Sequence, residues 1–227
     1  MAASVHDAPL NKALNYNSSY SCTWIKVYKQ QKKIYGNDKD LKKFFSEIKE
    51  ADIKALERSL KTIKLNKKDQ DKLKKCKERL DIWYHARETL KNYEKLTEPP
   101  NINQGFLFIE LVLYTIGLRE IYFRVKKLLE NKKDNKLLVF FEKEMENLQL
   151  LRNALTHFNF EFISNSDPSR ITDIKFYPQN HGKNENKKDH LLANIGYVSL
   201  ITHNVYRLCF LIIWSLENNV SHNQPNQ

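Results

Sequence analysis

Glycine and proline are scarce: the chain has 5 Gly and 6 Pro in 227 residues, while Lys, Leu, Glu and Asn abound. So few turn-forming residues argue against a fold built on tight turns and for one that is mostly helix. Cysteine is scarcer still. Cys22, Cys76 and Cys209 stand far apart, form no CxxC pair and cannot all be bridged within one chain, so a reducing cytoplasm is the expected setting. The sequence contains no GxxxxGK[ST], GxGxxG or GxSxG, which leaves a phosphate loop, a dinucleotide fold and an esterase elbow without support. His85, His181, His190 and His203 show no metal-ligand spacing with a Cys or a carboxylate, so neither a metal nor a cofactor is expected.

Long apolar runs are missing too. Residues 106–118 are short and contain Glu110, and residues 191–216 contain Asn194, His203, Asn204 and Arg207. A membrane span needs roughly 20 mostly apolar residues, so both read as core helices and no membrane partner is expected. Residues 1–24 lack the basic and apolar blocks of a secretory signal and read as a loose N-terminal arm. What the chain has in excess is positive charge. The formal net charge is +11, and residues 25–97 carry 22 Lys and Arg against 12 Asp and Glu, which leaves the remainder close to neutral. Such a segment suits a polyanion such as RNA, or it is a lysine-rich solvated surface.

Apolar residues at Leu41, Phe44, Phe45, Ile48, Leu56, Leu60 and Ile63 predict a helix over 38–64. A second helix, over 68–97, is predicted by Leu73, Cys76, Leu80, Trp83, Leu90 and Tyr93 and stopped by Pro99-Pro100. Residues 25–98 are thus expected to form a basic antiparallel helical hairpin, in which Lys67, Lys68, Lys72, Lys74 and Lys75 are candidate RNA contacts. Trp24, Tyr28, Tyr35, Trp83 and Tyr84 alternate with lysines, either as base-stacking groups or as core. Residues 99–220 are expected to form a core bundle. It would hold a buried helix over 104–131, an amphipathic one over 134–158, a small β-hairpin from 158–162 and 171–177, a polar loop over 178–190 and a last helix over 191–217. The two segments should pack as one domain, with 221–227 a polar tail. The fold class is all-α with a small β-hairpin insertion.

The stretch LLRNALTHFNF, residues 150–160, closes the fourth of these helices and sets Arg152, Asn153 and His157 among Leu151, Leu155 and Phe158. At roughly 100° per residue, Asn153 and His157 share a face, whereas Arg152 lies about 140° from His157. Arg152 and His157 can therefore act together if the helix distorts at its end, or if two copies of the segment meet across a symmetric dimer. The simpler alternative is a pair of basic groups that complement the helix dipole and its last carbonyls.

Arg152-Asn153-Ala154-Leu155-Thr156-His157 resembles the R-N-x-x-x-H motif of the HEPN superfamily (higher eukaryotes and prokaryotes nucleotide-binding domains). The resemblance covers about residues 100–217, and its abortive-infection and CRISPR-linked ribonuclease branches are the most similar. It implies an HEPN-like helical bundle and a homodimer with a composite site. The implied activity is metal-independent endonucleolytic cleavage of RNA, in anti-phage defence or a toxin-like system, restrained by an inhibitor or antitoxin or released by an activator. In that chemistry the ribose 2′-OH attacks the adjacent phosphate, the 5′-oxygen leaves and a 2′,3′-cyclic phosphate remains. His157 would move the proton, Arg152 would hold the phosphate oxygens as their charge grows, and Asn153 would orient the His or hold an oxygen. Glu110 is an accessory candidate that would position Arg152, unless it faces solvent or pairs with Arg207. Asn159 stands where some toxin branches carry a Tyr that is a modification target, so the chain departs from that branch. A non-catalytic helical adaptor that binds nucleic acid or a partner protein is the alternative.

Overall fold

The computed structural model describes residues 20–39, 41–96, 103–129, 135–164, 171–177 and 190–221. In chain order they form α1 (Tyr20–Tyr35), α2 (Lys42–Glu47), α3 (Glu50–Leu60), α4 (Lys67–Leu96) and α5 (Asn103–Val112). A π-helical segment (Leu113–Leu118) leads without a break into α6 (Arg119–Lys127), followed by α7 (Lys136–Thr156), β1 (Phe160–Ser164), β2 (Ile171–Phe176), β3 (Leu191–Asn194) and α8 (Ile195–Ser221). The chain is mostly helical with a small antiparallel sheet, as composition and periodicity predict. The tail beyond 221, the 178–189 part of the polar loop and most of the N-terminal arm lie outside the described residues.

Helix α8 is the axis. It is long and apolar enough to cross a membrane, yet 78% of its most apolar window is buried inside the protein. Leu200, Ile201, Val205, Leu208, Ile212 and Leu216 are all buried in one continuous core that also takes Leu73, Leu80 and Trp83 from α4 and Phe141, Met145 and Leu155 from α7. Residues 191–194, expected as the first turn of this helix, instead form β3 and pair with β2, Asp173 opposite Asn194 and Phe176 opposite Leu191. Asn194 explains the switch. Its Oδ1 accepts the Tyr197 backbone N–H at 2.9 Å, so the residue closes the strand and caps the helix at once.

The expected basic hairpin is not one. Its first arm breaks because Ile48 and Lys49 are both extended. Ile48 is buried there, and its carbonyl accepts the buried Tyr28 hydroxyl at 2.5 Å, while Glu50 and Asp52 open α3 with charges that suit its N-terminal dipole. The halves then diverge. Helix α3 packs on α1, α7 and α8, whereas α4 packs on α5, the π segment, α6 and α8. Each half has more apolar surface to bury against α8 than against the other.

Helix α1 begins inside the stretch expected to be a loose arm. Trp24, Val27, Tyr28 and Gln31 make one buried face at three- and four-residue spacing, so these aromatics are core rather than base platforms. The Trp24 indole donates to Asn204 Oδ1 at 3.3 Å, and Asn204 donates in turn to Gln31 Oε1 at 3.1 Å and the Leu200 carbonyl at 2.8 Å. An amide buried without such partners would cost about 1–3 kcal/mol. Here the Asn204 amide is satisfied by α1 and its own helix, while Gln31 is satisfied at Oε1 and not at Nε2.

Candidate active site

Helix α7 starts where Asn135 Oδ1 accepts the Leu137 N–H at 3.0 Å and ends at the sequence motif. Leu151, Ala154 and Leu155 are buried, which fixes the rotation of the last turn and leaves Arg152 and Asn153 half-buried and His157 exposed. The end is an αL cap. The N–H groups of Phe158 and Asn159 turn back to the carbonyls of Leu155, at 3.3 Å, and Ala154, at 2.9 Å. This closure needs a positive φ at Phe158, which stands at 56°, a position usually given to glycine. Phe158 is also 74% exposed, and its ring stacks on Phe108 of α5 with centroids 5.5 Å apart. Because alanine would keep the unfavourable φ and glycine would relieve it, Phe158→Gly is expected to be more stable than Phe158→Ala by about 1 kcal/mol. Equal urea midpoints for the two variants would refute the assignment of strain.

Arg152 donates from Nη1 to Asn153 Oδ1 at 3.0 Å, and Gln149 donates to the same oxygen at 3.2 Å. Asn153 therefore braces the guanidinium, and its side chain does not orient the imidazole. No hydrogen bond joins Arg152 to His157 within the chain. Arg152 lies inside the helix, and His157 is its C-cap, with φ −106° and ψ 6°.

Sequence reasoning passed over Arg119. From the first turn of α6 it donates through Nε to the Met145 carbonyl of α7 at 2.9 Å, and its guanidinium lies over the Phe123 ring, 4.8 Å from the centroid. Burial first, and the Arg152 charge second, hold the Arg119 guanidinium below its ordinary value. Two cations thus stand near each other on adjacent helices. The signal in the sequence is a charge directly after the apolar run 106–118, but its facing depends on the π segment that precedes it. Glu120, its neighbour, pairs outward with Arg124 at 2.7 Å.

Glu110 does not reach Arg152. It accepts a short hydrogen bond from Tyr114, whose hydroxyl also accepts from Arg87 Nε at 3.2 Å. Neither is Glu110 paired with Arg207. It belongs to a buried polar cluster of α4, α5 and α8, because the four-residue spacing of Glu110 and Tyr114 points both toward α4.

The candidate RNA-contact lysines are exposed but far from the motif. Lys67, Lys68, Lys72, Lys74 and Lys75 occupy the first turns of α4, where Asn66 caps the helix and Lys72 pairs with Asp69 at 2.6 Å. Lys77 bonds Glu217, and Asn219 donates to the Leu60 carbonyl, so this end of α4 lies at the C-terminal end of α8. The motif lies toward the other end, since α7 runs into β1 and β3 runs into α8. With 27 residues, α8 is roughly 40 Å long. The antiparallel course of α4 and α8 therefore keeps these lysines apart from Arg152 and His157.

Among the described residues no three His, Cys, Asp or Glu side chains converge as a metal site would need. No protein-family model, curated protein or solved structure matches this chain.

Proposed function

We propose that the protein is a metal-independent RNA endonuclease with an HEPN-like bundle, acting as a homodimer whose site combines Arg152 of one copy with His157 of the other. The observation that carries this reading is the pairing of a braced cation with an open imidazole on the last turn of α7. Arg152 is held by Asn153 and flanked by Arg119, and His157 stands exposed one turn on. Two guanidinium groups suit a phosphodiester whose charge grows in the transition state. An imidazole is the side chain best placed to move a proton near neutrality.

The outer face of the helix supports the dimer. Val139, Lys143, Glu146, Leu150, Asn153 and His157 recur at three- and four-residue spacing along its outer face, and Val139 and Leu150 are 50% and 39% exposed. Packing that stripe against its symmetry mate buries these apolar groups and brings each His157 toward the partner's site. In a cytoplasmic defence or toxin-like setting such an enzyme would need an inhibitor, an antitoxin or an activation step.

The test is incubation of a labelled RNA with purified protein in EDTA. The wild type is expected to cut and leave 2′,3′-cyclic phosphate ends, and the Arg152→Ala/His157→Ala double variant to leave the RNA intact. DNA of the same sequence should survive, since it lacks the attacking hydroxyl. Equal cleavage by both proteins would mean contamination or a different site, and cleavage by neither would remove this reading in favour of a non-catalytic adaptor.

A further inference from the structure

Among the described residues, buried charge gathers between α4 and α8. Arg87 and Lys91 of α4 and His203 and Arg207 of α8 are each at least nine-tenths buried. The helices run antiparallel, with Arg87 against His203 and Lys77 against Glu217. Arg207, one turn after His203, therefore stands level with Trp83, one turn before Arg87. Trp83 stacks on Tyr206 there at 5.2 Å and donates to the Leu113 carbonyl of the π segment at 2.9 Å.

Among the described residues the charges of this seam do not balance, with Arg87, Lys91 and Arg207 against Glu88 and Glu110. Arg87 is answered by Glu88, 3.6 Å from Nη1, and by Glu110 through Tyr114. The His203 Nδ1 lies 2.6 Å from the Ser199 carbonyl, which suits a hydrogen there, and its Nε2 faces an Arg87 donor, which suits an acceptor. Arg207 is left over. Its Nη1 is buried without a hydrogen-bond partner among the described residues. Burial, and then the neighbouring Arg87 charge, push its guanidinium down to about 9. A buried cation with no counter-charge is costly, and a well-seated anion removes that cost.

We propose that this seam is an anion site, in which Arg207 seats a small oxyanion of the phosphate class between α4 and α8. A guanidinium presents its donors as a planar fork, which matches two oxygens of such a group better than a halide or a single water. The site sits against the π segment, a local winding often found where helices serve a function. It is independent of the chemistry assigned to Arg152 and His157.

Thermal unfolding of the full-length protein tests it, with inorganic phosphate titrated against chloride at constant ionic strength and pH. Wild type is expected to gain several degrees in Tm as phosphate rises, because a ligand bound only by the folded state shifts unfolding by mass action. Arg207→Met should lose that gain and unfold in phosphate-free buffer at or above the wild-type temperature. Arg207→Lys, which keeps the charge without the fork, should need more phosphate for the same rise and covers the case in which the Met variant does not fold. Adenosine monophosphate in a parallel titration identifies the source. A gain equal to that with inorganic phosphate marks the anion as the end of a larger ligand, and a gain with inorganic phosphate alone marks the free ion. No difference between phosphate and chloride for wild type overturns the proposal. So does an undiminished phosphate response in Arg207→Met, or a lower Tm for that variant in phosphate-free buffer.

Discussion

His157→Ala is expected to slow RNA cleavage by about 10²–10⁴-fold, the usual contribution of a positioned general acid or base. Arg152→Ala should cost about 10²–10³-fold, in line with removal of one charge-stabilising donor. Neither change should disturb the fold. His157 is exposed and contributes its backbone to the helix end, and the Arg152 side chain bonds only its neighbour Asn153. Single-turnover cleavage with circular dichroism of each variant separates the two effects. The sharper result comes from mixing. If each site takes its arginine from one copy and its histidine from the other, a heterodimer of the two single variants holds one intact site. A random mixture should then recover roughly a quarter of the wild-type rate. A mixture as inactive as its components would show that the pair acts within one chain, and the dimer argument would fail.

Arg87→Ala is expected to destabilise the protein by about 3–5 kcal/mol, the cost of leaving buried charged partners without their counter-charge. The residue is 5% exposed, and its loss takes a donor from the Tyr114 hydroxyl and from His203 Nε2 and the positive charge from beside the half-buried Glu110 carboxylate. Burial, and then Glu110, already hold the Tyr114 phenol well above its ordinary value, so the phenol cannot relieve the site by ionising. Urea denaturation should show the loss as a lower midpoint at unchanged slope. Adding Glu110→Gln to Arg87→Ala should recover part of it, because the stranded carboxylate is then gone. If the two changes proved additive, Glu110 and Arg87 would be uncoupled and the network would be misread.

Periodicity located what obeys one rule. Leu73, Cys76, Leu80 and Trp83 mark the buried face of α4, and Phe141, Met145, Leu148 and Leu155 that of α7, because a single apolar stripe suffices where a helix meets one core. The rule fails where a stripe continues through a change of backbone. Leu41 to Ile63 reads as one helix, yet the chain extends at Ile48 and Lys49 to bury Ile48 in a different direction. Helix α1 was illegible because its face includes Gln31, a polar residue made compatible with burial by Asn204, 173 positions away in the chain. At the candidate site the same distinction applies. Arg152, Asn153 and His157 are neighbours in sequence and could be found there, whereas Arg119 joins them through α6. The lysines of residues 67–75 are conspicuous in sequence and lie at the wrong end of α8.

Arg119 owes its station to the winding of the segment before it. A π turn accommodates one residue more than an α turn, and Leu113–Leu118 is held in that form with Trp83 bonded to the Leu113 carbonyl and packed against Gly117, where a Cβ would meet the indole at 3.1 Å. The six residues of this segment turn the backbone about as far as five would in a regular helix, so removing one residue between 113 and 118 would let the helix wind regularly and leave α6 facing nearly as it does now. The Arg119 side chain would stay beside α7 and its neighbour Arg152, whereas the loss of one residue from the regular turns of α5 would put it about 100° out of phase. This stretch therefore holds a residue in reserve: a deletion of a single codon can be absorbed here, where in a regular turn of the same helix it cannot.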